Sequence, residues 1–177
     1  MNKLTLLGSL LAIALLSFSF TKKPVRAKKP TTAISRTLAF PVAGKKSNIG
    51  SFWGASRDGG KRSHKGIDIF AKKGTSVVAI ADGVIVSKEN TPIGGKVLWL
   101  KSAKHTWTAY YAHLDKQLVK EGQTVRKGQV IGTVGKTGNA RTTPPHLHFG
   151  IATRKGWVNP LPYVKNSPKV LVKAKRR

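Results

Sequence analysis

Pro144-Pro145-His146-Leu147-His148-Phe149-Gly150 is the stretch on which the reading of this chain turns, together with His64-Lys65-Gly66-Ile67-Asp68 far upstream. In a β-strand, side chains at i and i+2 leave the same face about 6.6 Å apart. His146 and His148 therefore project side by side, as a metal ligand and its neighbour need. Pro145 suits the position before them, because the first residue of a strand needs no ladder donor. Imidazole and carboxylate are ordinary zinc ligands, and three of them leave a fourth position for water. The pattern predicts a zinc hydrolase.

His64 and Asp68 flank the entry into Ile67-Asp68-Ile69-Phe70, which alternates like a strand. The pair can reach one metal if the chain bends at Gly66, where glycine permits unusual backbone angles. The helical metalloprotease pattern His-Glu-x-x-His does not occur. The ligands must therefore converge from separate strands. Both members of a His-x-His strand can ligate one metal, so spacing leaves His146 and His148 equivalent.

The remaining sequence predicts a mainly antiparallel β protein. Short runs rich in Val, Ile, Thr and aromatic residues alternate with glycine turns at Thr75–Ala81, Val84–Lys88, Lys96–Ser102, Thr106–Leu114, Val130–Val134 and His148–Thr153. No stretch carries a helical stripe over ten or more residues. Segments 73–86 and 121–134 resemble one another, each with a glycine turn before alternating apolar residues.

The chain has 177 residues, no cysteine, and only five histidines and six acids from which to build a transition-metal site. Its net charge is +27. Residues 21–38 and 165–177 each carry six Lys/Arg and no acid, and Lys3 adds one more. That leaves 20 basic residues against six acids in 39–164, a net +14 for the central region. Such charge attracts polyanions, whether nucleic acid, an anionic lipid surface or an anionic wall polymer; solvated tails are the bland alternative.

Residues 1–19 read as a secretory signal: Lys3, an uncharged run from Leu4 to Leu16, and small residues before a cut after Ser19. An uncleaved anchor is the alternative, since Phe18 and Phe20 extend the run. Either way the domain lies outside the cytoplasm, in the periplasm, cell envelope or medium, where nucleic acid is not a physiological partner. Residues 20–38 read as a basic linker, 39–164 as the domain and 165–177 as a basic tail.

His-x-Gly-x-Asp at 64–68, Tyr-Ala-His-Leu at 111–114 and His-Leu-His at 146–148 resemble, in order, the three signatures of lysostaphin/LytM-type zinc endopeptidases. The likeness runs from about Phe40 to Pro162. It implies a lysostaphin-like antiparallel β-sandwich with a duplicated hybrid motif, loops that form a substrate groove, and hydrolysis of bacterial peptidoglycan peptides. Carried over by position, it makes His64, Asp68 and His148 the ligands of one Zn²⁺, and His113 and His146 the unligated catalytic histidines. A monomer is expected, with basic tails on wall polymer or membrane. The alternative is a zinc-containing wall-binding or activator domain with little turnover.

Single residues also carry plainer readings. His113 follows Trp107, Ala109 and Tyr111 on one face of an alternating run, which suits a core histidine bonded to backbone. His105 matches no ligand position and reads as a surface residue. Asp58, in Ser56-Arg57-Asp58-Gly59-Gly60, and Asp82, before Gly83, read as turn residues. Trp53 and Trp157 are candidates for an aromatic lip.

Overall fold

The computed structural model describes residues 38–171. The expected signal at 1–19, nearly all of the expected linker and the last six residues of the expected tail lie outside that range. Twelve strands follow in chain order: β1 (Asn48–Ser51), β2 (Ser56–Arg57), β3 (Arg62–Ser63), β4 (Ile67–Phe70), β5 (Ser76–Val78) and β6 (Gly83–Thr91) come first. Then come β7 (Gly95–Ser102), β8 (Thr108–Gln117), β9 (Thr124–Val125), β10 (Val130–Val134), β11 (His146–Thr153) and β12 (Gly156–Val158), and one helical turn, α1 (Leu161–Val164), closes the set.

Ten of these strands form one antiparallel sheet with the path β1-β4-β11-β8-β7-β6-β9; β12 adds to β11, β10 joins β8, and β5 joins β10. The short β2–β3 ribbon stands apart. Strand β8 is the hub. Its first half pairs with β11 through Thr108–Ala112, and its second half pairs with β10 through Leu114–Gln117. His113 sits at the changeover.

One face of the central strands is apolar and fully covered. Ile67, Ile69, Leu98, Leu100, Ala109, Tyr111, Leu147, Phe149 and Ile151 are all 0% exposed. Apolar burial of this kind is the main favourable term in folding. Leu147 and Phe149 point into this core, so His146 and His148 leave β11 on the other side. The expected strands are present, with one shortened: of Thr75–Ala81 only Ser76–Val78 stays in the ladder. Beyond it the backbone finds other partners, since the Ile80 amide donates to the Tyr111 phenol at 3.1 Å and the Ala39 amide to the Ile80 carbonyl at 2.8 Å. Two carbonyls from beyond α1 also meet the start of the domain, where the amides of Phe40 and Gly44 donate to Pro168 and Val170.

Candidate metal centre

Pairing of β4 with β11 sets Asp68 directly opposite His148 and Phe70 opposite His146. Cross-strand neighbours stand about 4.5–5.5 Å apart at Cβ, so their side chains meet. His64 arrives from the segment before β4, where its amide donates to the Ala55 carbonyl and its own carbonyl accepts from Gly54. His64 Nε2, Asp68 Oδ1 and His148 Nδ1 then form a triangle with sides of 2.9, 3.0 and 3.0 Å.

Gly66 makes this possible by what it lacks. A Cβ there would lie 2.6 Å from the Phe149 carbonyl and 2.7 Å from the His148 ring. Close approach of two backbones, rather than the unusual backbone angles expected from the sequence, accounts for glycine at this position.

The donor set suits a small cation. His64 Nδ1 donates to the Phe52 carbonyl at 2.9 Å, which leaves a lone pair on Nε2 in the neutral ring. That lone pair faces a carboxylate oxygen at 3.0 Å, an arrangement that repels unless a proton or cation lies between. Tetrahedral ligands at about 2.1 Å stand about 3.4 Å apart, so triangle sides near 3 Å need only a slight opening. Asp68 Oδ2 is occupied separately by Arg57 Nη2 at 2.8 Å, and the same nitrogen donates to Ser51 Oγ at 2.7 Å. Arg57 thus fixes which carboxylate oxygen faces the imidazoles. No sequence signal marked it, because its stretch read only as a turn.

Electrostatics follow from burial. Desolvation by itself would raise the Asp68 carboxyl, but contacts with His148 and His64 outweigh it and hold the group well below the usual carboxylate range. Burial pushes His148 down, against the opposing pull of Asp68. For His113, burial first and the neighbouring His148 and His146 next lower the pKa to about 4.

His113 and His146 stand beside the triangle. Their ring centroids are 5.0 Å apart, and His113 lies 5.8 Å from His148. Each is held through Nδ1, which donates to the Thr137 carbonyl at 2.9 Å in His113 and to the Pro144 carbonyl at 2.8 Å in His146. Both therefore keep Nε2 as the unblocked nitrogen. His64, Asp68, His113, His146 and His148 all line one open groove of about 500 Å³.

The other singled-out residues lie elsewhere. His105 stacks on Trp107 with centroids 5.4 Å apart, half-buried rather than fully on the surface. Asp58 occupies a tight turn at φ 52° and pairs with Arg62. Asp82 Oδ1 accepts from the Lys127 amide at 2.8 Å. Trp157 packs against Tyr110 and Trp99 and over Gly150, and Trp53 lies 5.5 Å from the Lys65 ammonium.

The chain is 38% identical over 127 residues to an L-Ala--D-Glu endopeptidase of Bacillus subtilis, an alignment covering 65% of this chain and 39% of that protein. It is 37% identical over 144 residues to the murein hydrolase activator NlpD of Salmonella dublin, covering 81% and 36%. The chain thus spans well under half the length of these relatives. Among solved structures, the catalytic domain of the antimicrobial peptidase lysostaphin from Staphylococcus simulans superposes with a TM-score of 0.61 at 34% identity, covering 67% of this chain and 92% of that one. The family model for Peptidase family M23 matches residues 62–160, which include His64, Asp68, His113, His146 and His148, and the chain belongs to that family.

Proposed function

We propose that this chain is a zinc-dependent endopeptidase that hydrolyses stem or cross-link peptides of bacterial peptidoglycan, with His64, Asp68 and His148 holding one Zn²⁺. The observation that carries the reading is the triangle of two imidazole nitrogens and one carboxylate oxygen, 2.9–3.0 Å apart, with two further imidazoles alongside. When bound, the ion supplies Lewis acidity towards a carbonyl oxygen and a water molecule.

The protein's own groups do the rest. His64 and His148 present lone pairs, one fixed by the Phe52 carbonyl and the other by strand register. Arg57 holds Asp68 so that Oδ1 stays turned towards them. His113 and His146 act as catalytic residues: Nε2 accepts a proton from the attacking water and returns it to the leaving amine. As imidazolium, each can also donate to the developing oxyanion. Proton transfer of this kind is typically worth about 10²–10⁴-fold.

Residues 39–164 form the peptidase domain in this reading. The apolar run at 1–19 directs export, and the basic blocks at 20–38 and 165–177, the second held to the domain at Pro168 and Val170, offer their charge to anionic wall polymer or membrane as the chain works as a monomer. A second reading, a wall-binding activator with little turnover, draws on the 37% identity to NlpD over most of this chain. Intact sacculi incubated with the purified chain separate the two. Release of soluble muropeptides that stops with a chelator and returns with Zn²⁺ supports the peptidase; release unaffected by chelator rules out zinc as the catalyst, and no release favours the activator.

A further inference from the structure

The two walls of the groove differ in charge. On one side the β2–β3 ribbon and the residues after it contribute Arg57, Arg62 and Lys65. On the other, Ile93, Gly94, Asn139 and Ala140 carry no ionisable group. Among the described residues Asp68 is the only acid in the lining, and it faces the two imidazoles.

The basic groups are held rather than loose. Arg57 has Nη2 on Ser51 Oγ at 2.7 Å and on Asp68 Oδ2 at 2.8 Å, and Nη1 on the Ser56 carbonyl at 3.3 Å. Arg62 uses Nε for Asp58, and its side chain is about half exposed. The Lys65 ammonium lies over the Trp53 ring at 5.5 Å. Fixing these side chains in advance lowers the entropy lost when they engage a ligand. A guanidinium fork also matches a carboxylate in two parallel hydrogen bonds.

We propose that this wall selects acidic peptides: the groove takes stem peptides with a free carboxylate close to the bond being cut, in preference to the same peptides with that carboxylate amidated. The inference rests on the peptidase reading and adds the charge of the substrate to it. A neutral bridge of glycines has no carboxylate for the basic side to engage. The carboxylate binds along the Arg62 and Lys65 side, Arg57 being taken up by Asp68, Ser51 and Ser56, and the uncharged wall receives the remainder of the backbone. Ion pairs in an open groove are worth up to about fivefold each in affinity and weaken with salt.

The test uses the full chain and a pair of stem-derived peptides differing only in whether one D-glutamyl carboxylate is free or amidated. KM for the acid is expected to be about five- to tenfold below that for the amide at low salt, with the gap closing at high salt. Arg62→Gln and Lys65→Gln should each raise KM for the acid more than for the amide, so that the ratio between the two narrows. Equal KM values for the two peptides, or a preference that survives both substitutions together, would overturn the proposal. If neither peptide is cut, the peptidase reading fails for these substrates. Fluorescence anisotropy of labelled versions then decides the matter of the wall, and equal affinity for acid and amide overturns it.

Discussion

Tyr111 and His113 stand two residues apart in one strand, yet their side chains go to opposite faces of the sheet. Tyr111 is fully buried in the core and accepts from the Ile80 amide. His113 lines the groove with its ring 5.0 Å from that of His146. The register explains the reversal. Leu98 pairs with Tyr111 and Lys96 with Leu114, so one residue of β7 faces two of β8. Such a bulge re-aims a side chain, and here His113 takes φ 60° to do so. A non-glycine residue in the left-handed region costs roughly 1–2 kcal/mol.

His113→Ala should therefore separate chemistry from metal binding. Turnover on sacculi is expected to fall by about 10²–10⁴-fold, with one Zn²⁺ per chain retained by elemental analysis. His113→Gly should lose as much activity but, freed of the left-handed penalty, unfold at higher urea than His113→Ala, by about 1 kcal/mol. An alanine variant as stable as the glycine variant would contradict the strained bulge.

Gly66→Ala puts a methyl group where the Phe149 carbonyl and the His148 ring already lie within 2.8 Å. Overpacking of this sort costs about 1–3 kcal/mol. Both stability and zinc affinity should drop, because the group pushed aside is one of the proposed ligands. Calorimetric unfolding with and without zinc reads the two effects on one sample.

Arg57→Ala removes the group that holds Asp68 Oδ2. Outer partners of a metal ligand are typically worth about 10–100-fold in affinity. Competition with a chromophoric chelator should show a loss of that size, with Arg57→Lys in between, because one ammonium can serve Asp68 and Ser51 as Nη2 does but lacks the separate Nη1 that holds the Ser56 carbonyl.

Acid should weaken the metal-free protein through His113 and His148. Burial lowers the folded-state pKa of both, to about 4 for His113. Below an unfolded pKa of about 6.5 the unfolded chain takes up protons that the folded chain refuses, so stability falls as pH falls. The His113 contribution is complete above about 6.5 and is lost progressively down to about 4. Urea midpoints of the metal-free chain should be flat from pH 7 to 8 and decline across that window, and His113→Ala should make the decline shallower.

Much of the site was legible because it rests on local pattern. The i, i+2 spacing of His146 and His148 carried straight over to one face of β11, and the alternation at 67–70 to β4. Pairing of β4 with β11 was not legible, since register is a long-range property of the sheet. Nor was the bulge at His113: strict alternation placed it with Trp107, Ala109 and Tyr111, and only the family resemblance pointed the other way. Gly66 was singled out for backbone freedom when its role is space. Arg57 stayed hidden because its acidic partner is eleven residues away and turn residues around it masked its purpose.

Zinc K-edge absorption on the loaded full-length chain reads the convergence of His64, Asp68 and His148 on one ion. Two imidazole rings and an oxygen shell at about 2.0–2.1 Å are expected, with one imidazole lost in His148→Ala. A spectrum showing one imidazole or none in the wild-type chain, or one unchanged by His148→Ala, would contradict it.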